Sequence, residues 1–412
     1  METRHIAPHA RTEGGADPIF FYGGKAKAAI REHGAEKVIN GTIGALLDDS
    51  GNLALLEAVE EATHRLATVE VAPYAPVAGL PDFRQDVIDY IYQGVDRRPP
   101  ALGSVATAGG TGALRLAAWN FLSPGDCLVT HDYFWGPYRT ICEDTGRRFV
   151  TFPTFLPSGA FNIDGVLATV SSALADRERV LLLLNTPCHN PTGGAITTDE
   201  IRALHAGLSS IAAANPEKTL VFLVDAAYWE FGTEEDNRAL LSQFTEVPGN
   251  MLFCFAFTMS KSFTRYGFRT GALLFAAKSP GVIEAINSTL TRSIRVHWSN
   301  TCRLGQRIFS TVFRDPVLLD SLKAEQNAFA RLCNERGNLF AREADQVGLT
   351  RTPYRGGFFV TLPVGDPSRV VDRLTEDNIF LVPLAKGVRV AVCSIASKHI
   401  PGLAARIKAG FP

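Results

Sequence analysis

The stretch TLVFLVDAAYWEF, residues 219–231, joins an apolar run to one acidic residue and then to aromatic ones. An apolar run without polar alternation predicts a strand buried on both faces, as in a parallel sheet covered by helices. Asp225 closes this strand. Because an unpaired buried carboxylate is unfavourable, Asp225 either has a cationic partner or caps the turn that follows. The stretch therefore predicts a covered sheet with a carboxylate at the end of one strand.

Six further apolar runs accompany this strand between residues 104 and 277. They are SVATA (104–108), DCLVTH (126–131), RRFVTF (147–152), RVLLLLN (179–185), MLFCFAFT (251–258) and GALLFAA (271–277). Longer helical or loop stretches separate the runs, a pattern typical of helices that cover a mostly parallel sheet. We therefore predict an α/β fold, with a three-layer large domain built on a mostly parallel seven-stranded sheet.

A different pattern follows residue 299, where a long helical stretch is interrupted near Asp315–Pro316. The elements expected after it are GGFFVTLPV (356–364), a helix over 367–376, IFLVPL (379–384), VRVAVCSI (388–395) and a final helix from Ser397. Together they predict a smaller α+β domain. We expect an N-terminal segment over residues 1–55 that packs with this small domain, a large domain over 56–310, and the small domain with its connecting helix over 311–412.

Composition narrows the class of function. Of 412 residues, 46% are hydrophobic and 20% charged, with a net charge of −1, which is typical of an ordered globular protein without the basic surface that nucleic acids or anionic membranes attract. The seven cysteines are scattered, which argues against a disulfide framework or a zinc site. The N-terminus lacks an apolar signal region, and no apolar run reaches the roughly 20 residues of a spanning helix. We expect a cytoplasmic protein with a small-molecule site, and no metal, nucleic-acid or membrane partner.

The stretch TMSKSFTRYGFRTG, residues 258–271, lies between two of the predicted strands. It places Lys261 at a strand end in an apolar setting, where desolvation lowers the pKa of an amine and lets it form a Schiff base. The alternative interpretation is a solvated surface lysine. The stretch makes Lys261 a candidate catalytic residue.

Two loops carry candidate binding residues. The first loop, NTPCHNPTGG (residues 185–194), has the composition of a turn. Turn propensity explains its proline and glycines, so Asn190 is the residue that points to binding. TAGGTGALRLAAW, residues 107–119, puts glycines between a strand and a helix, where backbone amides and the helix N-terminus would bind a phosphate. Arg115 stands where a dinucleotide-binding loop has its last glycine, so that motif is not present. No Gly-Lys-Ser or Gly-Lys-Thr sequence follows, which excludes a Walker loop.

These four elements, in this order on this strand pattern, resemble the fold type I pyridoxal-phosphate (PLP) enzymes, specifically the class I aminotransferases typified by aspartate and aromatic aminotransferases. The resemblance covers most of the chain. It includes INGTIGALLDDSGN (39–52), YAPVAGLPDFR (74–84) and GVRVAVCSI (387–395). It implies transfer of an amino group between an acidic or aromatic L-amino acid and a 2-oxo acid by a ping-pong mechanism. The alternatives are a PLP-dependent lyase, decarboxylase or other specialised enzyme on the same fold, and a non-catalytic PLP-binding regulatory module.

Carried over residue by residue, the resemblance implies a catalytic set. Lys261 would form the Schiff base with PLP and then act as general base. Asp225 would pair with the protonated pyridine nitrogen, which keeps the ring an electron sink. Asn190 and Tyr228 are similar to the partners of the cofactor's phenolic oxygen, which stabilise its deprotonated form.

The resemblance also implies how the ring and the phosphate are held. Trp135 would stack on one ring face and Ala227 would lie against the other; a core aromatic is the alternative interpretation of Trp135. The residues implied for the phosphate are Gly110, Thr111, Thr258 and Arg269, with Tyr74 reaching across from a second subunit. Without that role, Tyr74 would be a loop anchor beside prolines.

Substrate binding is implied for Asn190 and for three more residues. Arg389 resembles the arginine that binds the substrate α-carboxylate, helped by the backbone at Gly44; a surface ion pair is its alternative interpretation. Arg295 resembles the arginine that binds the side-chain carboxylate of a substrate in the site of the neighbouring subunit. Sharing Tyr74 and Arg295 between sites would require a symmetric homodimer. Tyr138 departs from the family, because it stands where aspartate aminotransferases carry a histidine that supports the pyridine-pairing aspartate.

Overall fold

A seven-stranded sheet forms the centre of the larger part of the chain. The computed structural model describes His5, Ala10 and residues 17–412. Its strands are β1 (Ile39–Asn40), β2 (Leu102–Ala108), β3 (Cys127–His131), β4 (Arg148–Phe152), β5 (Arg179–Asn185), β6 (Thr219–Asp225), β7 (Met251–Thr258), β8 (Thr270–Ala276), β9 (Phe359–Pro363), β10 (Ile379–Phe380), β11 (Val382–Leu384) and β12 (Gly387–Ala391). The large sheet has the order β2-β8-β7-β6-β5-β3-β4. Only β8 runs antiparallel to its neighbours in this sheet, which confirms the predicted mostly parallel sheet.

Helices cover both faces of the large sheet. The helices are α1 (Pro18–His33), α2 (Glu57–Arg65), α3 (Thr68–Val71), α4 (Pro81–Ile91), α5 (Gly109–Phe121), α6 (Pro137–Asp144), α7 (Ile163–Ala175), α8 (Thr198–Ala214), α9 (Glu234–Gln243), α10 (Met259–Ser262), α11 (Pro280–His297), α12 (Arg303–Arg314), α13 (Pro316–Gln346), α14 (Pro367–Glu376) and α15 (Leu403–Gly410). In β5, Leu181 and Leu183 pack into one apolar cluster, whereas Leu182 and Leu184 pack into another on the opposite face. Burial on both faces explains the absence of polar alternation.

A third apolar cluster lies around two small sheets. Strands β11, β12 and β9 form a three-stranded antiparallel sheet, and β1 pairs in parallel with β10. Through that pair the N-terminal segment joins the C-terminal strands. The predicted domain limits remain predictions. The predicted boundary between residues 310 and 311 falls within α12.

The predicted break in the connecting helix is confirmed between α12 and α13. Asp315 caps α13, because its side chain accepts hydrogen bonds from the backbone N–H groups of Val317 (2.9 Å) and Leu318 (3.2 Å), and Pro316 occupies the first helical position, where no N–H is needed.

The final helix begins later than predicted. Ser397–His399 form a single 3₁₀ turn, and α15 starts at Leu403. Pro401 has no N–H to donate, and Gly402 adopts a left-handed conformation with φ of 75°. These two residues interrupt the helix that sequence periodicity had extended back to Ser397. No helix in the described part of the chain is long and apolar enough to cross a membrane.

Candidate active site

A pocket of about 410 Å³ opens where the carboxyl ends of β5, β6 and β7 meet. Every residue predicted for the site lines this pocket except Tyr74 and Arg295. The predicted residues brought together are Gly44, Gly110, Thr111, Trp135, Asn190, Asp225, Ala227, Tyr228, Thr258, Lys261, Arg269 and Arg389. They come from positions more than 300 residues apart in the chain. The parallel register of β5, β6 and β7 brings Asn190, Asp225 and Lys261 together. The N-terminal segment adds Gly44, and β12 of the small antiparallel sheet adds Arg389.

Lys261 lies in α10, the short helix that directly follows β7. Thr258 caps this helix by accepting a hydrogen bond from the Ser260 N–H at 3.2 Å. The Lys261 Nζ atom donates a hydrogen bond to the carbonyl of Gly44 at 2.5 Å. Burial lowers the pKa of Lys261 to about 8. A substantial share of the amine is therefore uncharged and nucleophilic at mildly alkaline pH.

Gly44 has no room for a side chain. A Cβ atom there would lie 2.9 Å from the Phe359 ring and 3.9 Å from the Lys261 Nζ atom. The first distance is shorter than real Cβ contacts. Glycine at this position therefore lets the backbone carbonyl reach the lysine amine.

Asp225 is a buried carboxylate at the end of β6. Its Oδ2 atom accepts a hydrogen bond from the Tyr138 hydroxyl at 2.5 Å, and its Oδ1 atom accepts one from the Ala227 N–H at 3.2 Å. Burial raises the pKa of Asp225 to about 6, and the two donors oppose that rise. Among the described residues no cation pairs with Asp225. The carboxylate therefore fits a ligand that presents a positively charged N–H group.

Asn185 fixes the loop that carries Asn190. Its side-chain amide donates to the carbonyl of Asp225 at 2.8 Å, and its side-chain oxygen accepts from the Asn190 N–H at 2.7 Å. Tyr228, just after β6, packs edge to face on Phe358 with ring centroids 5.0 Å apart. Burial holds the pKa of Tyr228 well above its ordinary value. Its hydroxyl therefore stays protonated and can donate to a ligand oxygen.

The loop between β2 and α5 forms an anion cradle with Arg269. Gly109 has φ of 67°, and a Cβ atom there would lie 2.4 Å from an Arg269 guanidinium nitrogen. Arg269 also donates to the Ser260 hydroxyl at 3.0 Å. The start of α5, with Gly110 and Thr111 in its first turn, adds backbone N–H groups that no helical carbonyl accepts. Free amides and a guanidinium fit a phosphate dianion.

Arg389 on β12 is 3% exposed. Its Nη2 atom donates to the Thr42 carbonyl at 2.9 Å, and its guanidinium lies 4.4 Å from the centroid of the Phe359 ring. Its Nε atom is buried without a partner, and Arg389 forms no ion pair with any described residue. The interpretation as a surface ion pair is therefore wrong. A buried guanidinium with free donors fits a carboxylate from the pocket.

Trp135 and Ala227 both line the pocket. The Trp135 ring meets the Tyr138 ring edge to face, with centroids 5.6 Å apart and an interplanar angle of 82°. Trp135 is only partly buried, so part of its surface remains available to a ligand. Trp135 therefore packs against Tyr138, the residue that donates a hydrogen bond to Asp225.

Tyr74 and Arg295 lie outside the pocket of a single chain. The Tyr74 side chain is 88% exposed. Arg295, on α11, donates to the Ser299 hydroxyl at 2.7 Å and is exposed. One copy of the chain therefore does not complete the set that the resemblance implies, and the roles of both residues stay predictions.

Sequence reasoning missed several residues of the pocket wall. They are Ile19, Phe20, Ile43, Ala45, Leu114, Asn185, Ser260, Tyr266 and Phe359, together with Tyr138, which was noted only as a departure from the family. Ser260 and Tyr266 stand within the quoted stretch 258–271, so their proximity to Lys261 was available as a signal. Ile19 and Phe20 carried none, because only the packing of α1 brings them to the pocket.

Replacing Tyr138 with phenylalanine should weaken PLP binding at low pH. The change removes one of two donors to Asp225, so the pKa of that carboxyl rises further and its charge is lost at higher pH. We expect the acid limb of the PLP affinity profile to move upward by about one pH unit. Equilibrium binding of PLP, measured from about pH 5 to about pH 9, checks this expectation.

Tyr22→Phe is the matched control, because it removes a tyrosine–aspartate hydrogen bond of 3.0 Å to Asp372 that lies outside the pocket. An unchanged acid limb in Tyr138→Phe, or an equal shift in the control, would contradict the role assigned to Tyr138.

Taken with the fold, this donor set fits pyridoxal phosphate and an α-amino acid, and the protein is of the PLP-dependent enzyme class. The sequence profile described as aminotransferase class I and II matches residues 36–407, and the chain belongs to that family. It is a PLP-dependent aminotransferase.

Individual relatives agree with this assignment. The chain is 28% identical to the cytoplasmic aspartate aminotransferase of Gallus gallus over 416 aligned residues, which cover 95% of each chain. An aminotransferase structure from Anaerococcus prevotii superposes with a TM-score of 0.93 at 35% identity, covering 97% of this chain and 98% of that one. An aromatic-amino-acid aminotransferase from Burkholderia pseudomallei, covalently bound to pyridoxal phosphate, has a TM-score of 0.80 at 25% identity, covering 99% of this chain and all of the other.

Proposed function

We propose that this aminotransferase moves an amino group between an acidic or aromatic L-amino acid and a 2-oxo acid, by a ping-pong mechanism centred on Lys261. The observation that carries the proposal is the pairing, in one pocket, of an amine of lowered pKa with an unpaired buried guanidinium. The amine is the nucleophile and base that amino transfer needs. The guanidinium is the anchor that an α-carboxylate needs.

The bound PLP supplies a conjugated ring that acidifies the Cα–H bond of the amino acid attached to it. Arg389 binds the α-carboxylate and orients that bond. Lys261 takes the Cα proton and later returns it, so the amine must be uncharged before the step and charged after it. Gly44 supports the charged amine through its carbonyl.

The other pocket residues hold the cofactor in a fixed charge state. Asp225 provides negative charge beside the ring nitrogen, and Tyr138 keeps that carboxylate ionised. Asn190 and Tyr228 would hold the ring oxygen, and Trp135 and Ala227 would hold the ring between them. The phosphate is held by Gly110, Thr111, Thr258 and Arg269. These groups are fixed by the fold before substrate arrives, which is electrostatic preorganisation.

Two features bear on which amino acid the pocket accepts. Apolar side chains that line the pocket, those of Ile19, Phe20 and Ile43, favour an aromatic substrate side chain. An acidic side chain would need Arg295 from a second subunit. The relatives compared above are named for aspartate and for aromatic amino acids, and both classes belong in the test.

The half-reaction separates this function from other PLP chemistry. Incubating the PLP-loaded protein with one amino acid at a time should yield one equivalent of 2-oxo acid and convert the bound cofactor to pyridoxamine phosphate. A 2-oxo acid added afterwards should restore PLP. Release of ammonia or carbon dioxide with PLP regenerated would instead establish a lyase or decarboxylase and overturn the proposal.

Replacing Arg389 with leucine should raise KM and lower kcat/KM by roughly 10²- to 10³-fold, because a buried charged hydrogen-bond partner of the substrate is lost. Steady-state kinetics with the best donor measure this. Arg351→Leu is the control, since its guanidinium pairs with Asp345 away from this pocket. Kinetic constants equal to those of the unmodified protein would reject the carboxylate anchor.

The functional unit we propose is a symmetric homodimer in which Tyr74 and Arg295 complete the partner's site. Both side chains are exposed in the single chain, which supports their availability to a second copy. Light scattering coupled to size exclusion tests the dimer, and a monomer with full activity would contradict it. The domain limits and the cytoplasmic location likewise remain predictions, open to limited proteolysis and cell fractionation.

A further inference from the structure

Tyr266 touches the Lys261 site in two separate ways. Its ring centroid lies 4.6 Å from the Lys261 Nζ atom. Its hydroxyl accepts a hydrogen bond from the backbone N–H of Leu46 at 2.9 Å. One side chain therefore contacts the amine and also holds the segment that faces the amine.

The held segment includes the acceptor of the amine. Leu46 follows Gly44 by two residues, and the Gly44 carbonyl accepts from the Lys261 Nζ atom at 2.5 Å. Leu46 is fully buried, so its N–H needs a partner inside the protein. The Tyr266 hydroxyl is that partner, and it fixes the backbone from which the carbonyl projects.

We propose that Tyr266 is a positioning residue for Lys261: its ring face stabilises the charged amine, and its hydroxyl holds the Gly44 carbonyl in place. This inference rests on the proposed role of Lys261 as the amine that binds the cofactor and moves the proton.

Other groups around the amine act in the opposite direction. The guanidinium groups of Arg389 and Arg269 repel a charged amine, and burial disfavours it further. The Cys393 thiol is neutral, because burial raises its pKa to about 12. Together these effects lower the proton affinity of the amine. The electron-rich face of Tyr266 and the carbonyl of Gly44 supply attraction.

The expected consequence concerns the proton-transfer step. When Lys261 takes the Cα proton, the electron pair stays with the substrate and the amine becomes positive. The Tyr266 ring stabilises the amine in that state, and the proton leaves again when it is returned. Removing the ring should lower the proton affinity of Lys261, whereas removing only the hydroxyl should loosen the segment around Gly44 and change that affinity much less.

The pKa of Lys261 can be measured without turnover. The full-length chain, freed of PLP, is acetylated with acetic anhydride over a range of pH, and acetylation of the Lys261 peptide is quantified by mass spectrometry. Tyr266→Leu should lower the pKa of Lys261 by about one unit, a ten-fold change in proton affinity. Tyr266→Phe, which keeps the ring, should stay within about 0.3 unit of the unmodified chain.

Phe358→Leu is the matched control for ring loss, because that ring centroid lies farther from the Nζ atom, at 5.9 Å. It should lower the pKa of Lys261 less than Tyr266→Leu does. Tyr266→Met is the substitute if the leucine variant does not fold. No shift in the ring-deleting variant, or an equal shift in Tyr266→Phe, would overturn the role of the ring.

Hydrogen exchange tests the role of the hydroxyl. In Tyr266→Phe the N–H of Leu46 loses its acceptor, so exchange of the peptide over residues 43–47 should accelerate at least about ten-fold. Unchanged exchange would overturn this part. Failure of the proposed function is distinguishable, because borohydride would then fix PLP to a residue other than Lys261 whatever the pKa of Lys261 proves to be.

Discussion

Replacing Lys261 with alanine should abolish transamination while leaving the fold intact. The change removes the amine that we propose binds PLP covalently and moves the proton, so kcat/KM should fall by at least about 10⁴-fold. Lys261 forms one side-chain hydrogen bond, to the Gly44 carbonyl, and its loss leaves no buried charge unpaired. Steady-state kinetics, the visible absorbance of added PLP and circular dichroism measure turnover, covalent binding and folding.

Lys278→Ala is the control for this variant. Lys278 is exposed and follows the end of β8, the strand next to β7, by two residues. Its loss should therefore change none of the three measurements. Transamination by Lys261→Ala at the rate of the unmodified protein would exclude the assigned lysine.

Replacing Asp225 with asparagine should weaken PLP binding by about 10²- to 10³-fold and lower kcat/KM at least as much. The asparagine keeps the shape and an oxygen that the Ala227 N–H can reach, but it removes the negative charge that we propose pairs with the cofactor's ring nitrogen. Separating a buried charge from its partner costs about 3–5 kcal/mol. Equilibrium binding of PLP and steady-state kinetics check the expectation.

The same variant has the opposite effect on the stability of the cofactor-free protein. Because burial raises the pKa of Asp225 to about 6 from an ordinary 3.8, its ionised form destabilises the folded state. That penalty is fully present above about pH 6 and vanishes below about pH 4. Asp225→Asn should therefore raise the free energy of unfolding at pH 8 by on the order of 2–3 kcal/mol, with the gain disappearing on acidification.

Denaturant unfolding at several pH values measures this crossover. Asp86→Asn is the contrasting control, because Asp86 is also buried but is paired with Arg314 at 2.9 Å. Its replacement should destabilise the fold at pH 8. Loss of stability in Asp225→Asn at pH 8, together with undiminished PLP affinity, would contradict the assignment of the Asp225 carboxylate to ligand binding.

The fold could be predicted from local signals. Each of the seven runs forms a strand within one or two residues of its predicted limits. In the central strands β5, β6 and β7, burial on both faces demands an uninterrupted apolar run. The antiparallel direction of β8 carries no such local signal. The start of α15 was mispredicted because Pro401 and Gly402 were included in the helical pattern.

The site could be predicted where its chemistry is concentrated in short stretches. Asp225, Asn190 and Lys261 stand at or just beyond strand ends that the parallel register brings together. Phe359 was missed because its role depends on its distance to Arg389, which no spacing encodes. Tyr266 was overlooked although it stands five residues after Lys261 in the quoted stretch.

Two predicted residues need more than one chain. Tyr74 and Arg295 are exposed outside the pocket, and their assignment depends on a second copy. The resemblance supplied both residues, and physical reasoning about a single sequence could not have done so.

The central claim is that Lys261, at the end of β7, is the amine that holds PLP. Reduction of the PLP-loaded protein with borohydride, followed by proteolysis and mass spectrometry, identifies the amine directly. We predict a single pyridoxyl adduct on the peptide that contains Lys261, and no adduct there in Lys261→Ala. An adduct on another residue, or a protein that stays colourless with PLP, would contradict the account.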